Sequence, residues 1–309
     1  MKPRFFDSLD ALPPATALAV GTFDGVHRGH QAILQQMLSV AHDTGKTPWI
    51  LTFEGAPTVS ASSNPVPARI YDAAFQTHYL LESGATLIRQ PFTSAFSAIS
   101  AADFLMRLKG AEVFCGDDWR FGKGAQGDIA FLKEHKIATH VVPYAQYKGE
   151  RISSTRIRAA LTAGAMDDAT AMLGRPWAFC GVVQHGRALA GKTFGVPTLN
   201  LPYQGRAGEM LVPLAHGVYH GAATIHQANS VQKTYQALIN FGTAPSIKGL
   251  VHPLFEVHLL DVTDDFYGCT VTLQIEKPRV RAERKFESLT ALHAQILEDL
   301  AFCRENNRS

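Results

Sequence analysis

Two fold classes follow one another along these 309 residues. The first is α/β, with a mostly parallel sheet wound on both faces. The second is a small antiparallel β-barrel closed by a helix. Three observations predict this order. Short apolar runs alternate with helical periodicity up to about residue 173. Beyond Pro176, strand-like segments succeed one another without intervening helices. A chain of this length also ordinarily holds about two hydrophobic cores. The boundary is placed at 176, giving units 1–176 and 177–309, with no flexible linker between them.

The elements are read in order. Residues 17–23 (ALAVGTF) form a buried strand that turns at Gly25. Ile33, Leu34, Met37, Leu38 and Ala41 then recur at helical spacing. An apolar strand at 48–53 precedes a loop rich in Ser, Pro and Ala and a further helical segment. Next come a strand at 85–89, a helix near 101–109, strands at 111–115 and 138–144, and two helices within 155–173. Strand-like runs follow at 178–185, 217–225, 234–242, 254–262 and 269–277, rich in β-branched and aromatic residues. In the last, Val271, Leu273 and Ile275 alternate with polar neighbours, the period of a half-buried strand. A helix closes the chain, with Ser288 as its cap and Leu289, Leu292, Ile296 and Leu300 as its apolar stripe.

Composition narrows the partners. A net charge of +2 supplies no broad field for nucleic acid or an anionic membrane, so any anion must be held locally. Cys115, Cys180, Cys269 and Cys303 form no C-x-x-C pair and read as reduced thiols among apolar residues. The first fifteen residues break any apolar run with Asp7, Asp10, Pro13 and Pro14, and no stretch is long and apolar enough to span a bilayer. A cytoplasmic protein acting on small molecules is expected.

In the first unit, Gly21-Thr22-Phe23-Asp24-Gly25-Val26-His27-Arg28-Gly29-His30 leaves a strand, turns on glycine and enters a helix. A helix start offers backbone N–H groups and a positive dipole end, a seat for phosphate. On that helix His27 and His30 share a face and can meet charge developing on an α-phosphate. A structural cap and two-thirds of a metal site are the competing readings. Further on, Ser153, Ser154 and Thr155 present hydroxyls at a helix start, with Arg158 one turn along, a set suited to a triphosphate. The H-x-G-H segment followed by this one resembles the nucleotidylyltransferase superfamily, which implies a Rossmann-like domain. Between them Gly116-Asp117-Asp118-Trp119-Arg120-Phe121-Gly122 resembles the G-x-D-F-R-F-G segment of bacterial FAD synthetases, with Trp119 for the usual Phe. Asp118, Arg120 and Phe121 are thereby implied in flavin binding, and Phe92, Phe96 and Phe104 fit the aromatic pattern preceding that segment. One region departs: Phe53-Glu54-Gly55-Ala56-Pro57 stands where that family reads F-D-P-x-P, and the stretch to Pro67 is bland.

In the second unit, Gly181-Val182-Val183-Gln184-His185-Gly186 leads to Pro197-Thr198-Leu199-Asn200, which resembles the riboflavin kinase signature. In extended backbone Thr198 and Asn200 point to one side, and the resemblance makes them ligands of Mg²⁺ (Mn²⁺ being a substitute) shared with ATP. Residues 186–193 (GRALAGKT) also satisfy the P-loop pattern, yet Gly195 and Pro197 follow too closely for the required helix. Lys192 matches a basic residue of the family. Glu256, flanked by Phe255 and Val257, matches its catalytic carboxylate, against the reading of an exposed strand residue. Gly217-Val218-Tyr219 and Asn240-Phe241-Gly242 resemble segments lining the nucleotide and flavin sites; Ala244-Pro245-Ser246 departs from the family's Arg-Pro-Thr. Arg281, Glu283, Lys285 and Phe286 fit the same pattern, and Asn240 and Arg281 are implied in flavin binding.

The resemblance as a whole is to bacterial bifunctional riboflavin kinase/FMN adenylyltransferases. It implies phosphorylation of riboflavin to FMN, then adenylyl transfer from ATP to FMN, giving FAD and pyrophosphate. Two alternatives stand beside it: a kinase with a weak or inactive adenylyltransferase, motivated by 53–67, and a flavin-binding regulator without catalysis.

Overall fold

A computed structural model describes residues 5–55, 67–185, 196–205, 209–226, 232–245, 251–262 and 264–306. Lys192, the P-loop-like run 186–193, Ser246 and most of the divergent 53–67 segment therefore lie outside the described residues. Contacts divide the chain into two compact units, Met1–Ser154 and Thr155–Ser309.

The first unit holds β1 (Phe5–Phe6), β2 (Thr16–Val20), α1 (Arg28–Thr44), β3 (Thr47–Glu54), α2 (Ala73–Leu81) and β4 (Thr86–Pro91). After these come α3 (Ser94–Ser97), α4 (Ala101–Arg107), β5 (Glu112–Gly116), α5 (Ile129–Glu134) and β6 (Thr139–Val142). The six strands form one parallel sheet in the order β1-β4-β3-β2-β5-β6. Strand alternation makes two cores. Ala17 and Ala19 face α1 through Ile33, Leu34, Met37 and Ala41. Leu18 and Val20 face the other way, toward Phe104, Leu105 and Leu132. The sheet is thus wound on both faces, as the alternation of strands and helices predicts. The chain leaves β2 for β3 on one side and later returns to β5 on the other. The strand order therefore reverses at β2, and the crevice beyond the carboxyl ends of β2 and β5 is where α/β sheets place ligands.

Beyond β6, the hairpin β7 (Gln146–Tyr147) and β8 (Glu150–Arg151) turns through Lys148 and Gly149, at φ 54° and 77°. Positive φ at both central positions is the tight hairpin turn that matches strand twist. Expected strand 17–23 ends earlier, at Val20, because the backbone turns left-handed at Phe23 (φ 49°).

The second unit carries α6 (Ser154–Ala163, whose first residue belongs to the first unit) and α7 (Met166–Leu173). It continues with β9 (Trp177–Val182), β10 (Leu199–Pro202), β11 (Gly217–His226), β12 (Lys233–Pro245), β13 (Val251–Leu259), β14 (Thr270–Ala282) and α8 (Leu289–Asn306). The strands run antiparallel in the order β10-β13-β12-β11-β14-β9. The two edges meet at a bridge between Gln184 and Asn200, where the Gln184 N–H donates to the Asn200 carbonyl at 2.8 Å. Curling the sheet until its edges touch removes the exposed edges of an open sheet.

The barrel interior is aromatic: Trp177, Phe179, Phe241 and Phe255 are at most 5% exposed, and Tyr203 packs among them. Burial pushes the Tyr203 hydroxyl well above its ordinary pKa, and it donates to the Val212 carbonyl at 2.6 Å. β14 runs past the expected 269–277 because its pairing with β11 resumes beyond a bulge at Tyr219–Gly221. A Cβ on Gly221 would lie 2.0 Å from the Gln274 carbonyl oxygen, so only glycine fits that bulge. Ser288 caps α8 by accepting the Ala291 N–H at 3.1 Å. Leu289 is 65% exposed and lies off the expected stripe; Ile296, Leu300 and Cys303 make the seam against Val218 and Leu238.

Candidate active sites

Gly21, Thr22, Phe23, His27, Gly29 and His30 line a cleft of about 840 Å³ at the switch point of the parallel sheet. His27 is the N-cap of α1, with extended backbone (φ −71°, ψ 172°), rather than a residue within the helix. Its Nδ1 accepts the His30 N–H at 3.4 Å, so a neutral His27 carries its proton on Nε2. The two imidazoles stack at 3.6 Å and 16°, and the Phe23 ring meets His30 edge-on at 5.2 Å. Gly29 makes room for this fold-back, since a Cβ there would sit 3.2 Å from His27 Cε1 and Nδ1. Among the described residues no group of three His, Cys, Asp or Glu is placed to hold a metal.

The turn beneath them is strained and held from several sides. Phe23 and Val26 have φ of 49° and 42°, costly for residues with side chains, whereas Gly25 takes φ 80° freely. The Thr22 carbonyl accepts from Thr52 Oγ1 at 3.1 Å and Gln76 Nε2 at 2.6 Å. Asp24 accepts the Ile70 N–H on Oδ1 at 3.1 Å, and its carbonyl accepts the Ser154 hydroxyl at 2.9 Å. Gln31 Nε2 donates to the Val26 carbonyl at 2.8 Å. Of the residues expected at the nucleotide, Phe23 lines the cleft and is fully buried, and the Asp24 carboxylate accepts from the backbone and shapes the turn. Gln76 was not visible from sequence; its one signal is an amide in an apolar helical run, buried to 3% exposure.

Ser153 and Ser154 line the same cleft, and Thr155 and Arg158 follow on α6 in the second compact unit. The opposite wall is aromatic. Trp119 stacks on Phe121 at 4.6 Å, and Phe53, Phe92 and Phe96 pack edge-on or tilted at 5.6–5.9 Å. Phe104 is a core residue, 2% exposed, that supports Phe121. Gly127 closes this loop through two backbone bonds to Phe121, and a Cβ on it would lie 2.4 Å from the Phe121 ring. At the polar rim Arg151 reaches Asp118 at 2.7 Å and Asp117 at 3.4 Å and lies over Tyr144. Arg120 is exposed on the same rim. Arg151 escapes sequence reasoning because its hairpin carries no motif of its own.

On the barrel, register assembles the second site. Asn200 on β10 lies opposite Glu256 on β13, Glu256 opposite Asn240 on β12, Asn240 opposite Val218 on β11, and Val218 opposite Arg281 on β14. Directly opposed partners project to the same face, here the outer one, because the neighbouring Leu201, Phe255 and Phe241 fill the interior. Asn240 Nδ2 donates to Glu256 Oε2 at 3.1 Å. Asn200 Nδ2 leans on the Thr198 carbonyl at 3.4 Å, so its Oδ1 is turned away from that contact. Thr198, Asn200, Asn240 and Glu256 are all half-buried. A hydroxyl, an amide oxygen and a carboxylate make a set of hard oxygen donors with little charge.

Arg281, at the far end of the row, is committed to the last helix. Its Nε lies 2.9 and 3.1 Å from the Asp299 oxygens and its Nη2 2.8 Å away, and its guanidinium lies over Phe286. Glu283 pairs with His216 at 3.1 Å and rests against Gly242, where a Cβ would stand 2.9 Å from its Oε1.

Residues 10–156 match the family model of FAD synthetase, and residues 173–307 that of riboflavin kinase. A bifunctional riboflavin kinase/FMN adenylyltransferase from Escherichia coli strain K12 is 34% identical, across 93% of this chain and 91% of that one. Another from Pseudomonas fluorescens is 33% identical, across 92% and 91%. A solved structure described as a macrolide-efflux protein from Streptococcus pneumoniae superposes with TM-score 0.83 at 27% identity, covering 98% of this chain and 99% of that one. With both models matched in order and relatives aligned nearly end to end, the chain belongs to the family of bifunctional riboflavin kinase/FMN adenylyltransferases.

Proposed function

We propose that one chain carries out two ATP-dependent transfers in series, with residues 177–309 phosphorylating riboflavin and residues 1–176 adenylylating the product. The observation that carries the kinase half is the row Asn200–Glu256–Asn240 on one barrel face. The 5′-hydroxyl of riboflavin is a poor nucleophile while protonated, and the Glu256 carboxylate takes its proton. The hydroxyl oxygen then bonds to the γ-phosphorus of ATP as the β–γ bridging bond breaks, yielding FMN and ADP. Thr198 and Asn200 would hold a Mg²⁺ that, when bound, offsets charge on the transferred phosphoryl group.

The second transfer needs no base, because the phosphate of FMN is already anionic at neutral pH. One of its oxygens attacks the α-phosphorus of ATP, the α–β bridging bond breaks, and pyrophosphate leaves with FAD formed. What this step needs is positive partial charge and donors at fixed positions. The stacked His27 and His30, the start of α1 and the hydroxyls of Ser153 and Ser154 line one side of the cleft. The aromatic wall with Trp119 and Phe121, rimmed by Asp118 and Arg120, suits the flat isoalloxazine ring. The reading places the enzyme in the cytoplasm with small molecules as its partners.

The test is incubation of the purified chain with riboflavin, ATP and Mg²⁺, with the flavins separated over time. FMN followed by FAD is expected. His30→Ala should cut FAD formation while sparing FMN, and equal loss of both products would refute the two-site reading. FMN alone from the wild type would leave only the kinase standing.

A further inference from the structure

The hydrogen bond from Asn240 to Glu256 assigns Asn240 a different part from the flavin contact that family resemblance implies. An ionised carboxylate has no hydrogen to give, so the amide nitrogen of Asn240 faces it and the amide oxygen points away. The bond runs to Oε2 at 3.1 Å. Asn240 stands between Glu256 on β13 and Val218 on β11, and Val218 is buried in the seam beneath α8. The amide is therefore seated against a packed wall, with its donor fixed on one carboxylate oxygen.

We propose that Asn240 is a positioning residue of the kinase: it holds Oε2 of Glu256 and so fixes Oε1 as the oxygen that takes the proton from the riboflavin 5′-hydroxyl. This rests on the reading of Glu256 as the base. The physical argument is one of torsional freedom. A glutamate side chain has three rotatable bonds, and on a strand only its first is restrained by the pleat. Without a second anchor the carboxylate swings away from the attacking hydroxyl, and misplacement by about 1 Å can cost on the order of 100-fold in rate. Asn240 supplies that anchor from the directly opposed position, where its reach matches the glutamate's.

Two kinds of measurement separate this role from flavin binding, both made on the full-length chain. Asn240→Leu keeps the branched heavy-atom outline and removes the donor. Asn240→Ala removes the amide and adds no charge beside Glu256, so it serves if the leucine variant folds poorly. Adenylyl transfer from ATP to supplied FMN monitors the integrity of each preparation. In the kinase assay both variants should lose roughly 10–100-fold in kcat. The KM for riboflavin, and its Kd from quenching of riboflavin fluorescence, should stay within about threefold. In a Glu256→Gln background, Asn240→Leu should cost nothing further, because a residue that acts through Glu256 has nothing left to position.

A rise in KM and Kd with kcat retained would overturn the proposal and make Asn240 a flavin ligand. Full additivity in the double variant, or an unchanged kcat in both single variants, would overturn it equally. If Glu256→Gln alone kept the wild-type rate, the assignment of the base itself would fail, an outcome distinct from the others.

Discussion

Asp299 and Arg281 tie the last helix to the barrel, and removing the carboxylate should destabilise that unit far more than breaking any surface pair on the same helix. Asp299 is 3% exposed and Arg281 20% by side chain. The carboxylate accepts three contacts of 2.8–3.1 Å from the guanidinium and one of 2.9 Å from Gln295 Nε2. Asp299→Ala leaves a largely buried cation and an amide without their acceptor, a loss of about 3–5 kcal/mol. For a unit of this size each kcal/mol moves Tm by roughly 2–4 °C, so a fall of about 6–20 °C is expected. Arg304 and Asp261 provide the control on the same helix. They lie 3.2 Å apart at 51% and 76% exposure, and Arg304→Ala should cost at most about 1 kcal/mol. The assay is thermal unfolding of the full chain by circular dichroism, with residual kinase and transferase activity after heating to assign each transition. Replacing both partners, Arg281→Met with Asp299→Leu, should cost less than Asp299→Ala alone, because no buried charge is left unpaired. If Asp299→Ala and Arg304→Ala shifted the transition equally, or the double variant cost the sum of its parts, this view of the pair would be wrong.

Two further expectations concern the first unit. His27→Asn keeps an N-cap acceptor, so its stability should stay within about 0.5 kcal/mol of wild type while FAD formation falls; His27→Ala should lose about 1 kcal/mol as well. Paired thermal melts and FAD assays check this, and an active His27→Asn would reduce the residue to a cap. At the other end of the sheet, Lys46 holds the Glu112 carboxyl below its ordinary pKa of 4.5 by a 2.5 Å hydrogen bond, outweighing the upward effect of burial, and His140 adds to it. A depressed folded pKa means stabilisation that is present above about pH 4.5 and lost as pH falls through the folded value. Glu112→Gln should therefore be less stable than wild type at pH 7 and converge with it in acid. Urea titrations at both pH values test this, and a gap that widens in acid would contradict it.

How much of this was legible beforehand differs between the two units. The parallel sheet announced itself through Ala17–Val20 and 48–53, whose apolar runs suit strands covered on both faces. The glycines at 21, 25 and 29 were readable as a turn, but their separate tasks were not. Gly25 meets a local backbone need, whereas at Gly29 a Cβ would crowd the His27 ring, which is visible only once that ring has a place. The spacing of His27 and His30 suggested a shared helical face, and the observed stack arises instead from a cap folding back over the first turn.

Local physics set what the sequence alone determined: strand and helix periods, the glycine turn, the Ser288 cap, and a barrel of alternating β-branched and aromatic residues. Each depends on side chains within a few positions of one another. Only the tertiary structure decided that Asn200, Glu256 and Asn240 stand in one row, that Arg281 belongs to Asp299, and that Gln76 supports Thr22. Those pairings join residues 16 to 56 positions apart. They follow from strand register, which is set by how the aromatic interior fills and where the bulge at Gly221 falls, and from the burial that makes a carboxylate or an amide find its partner.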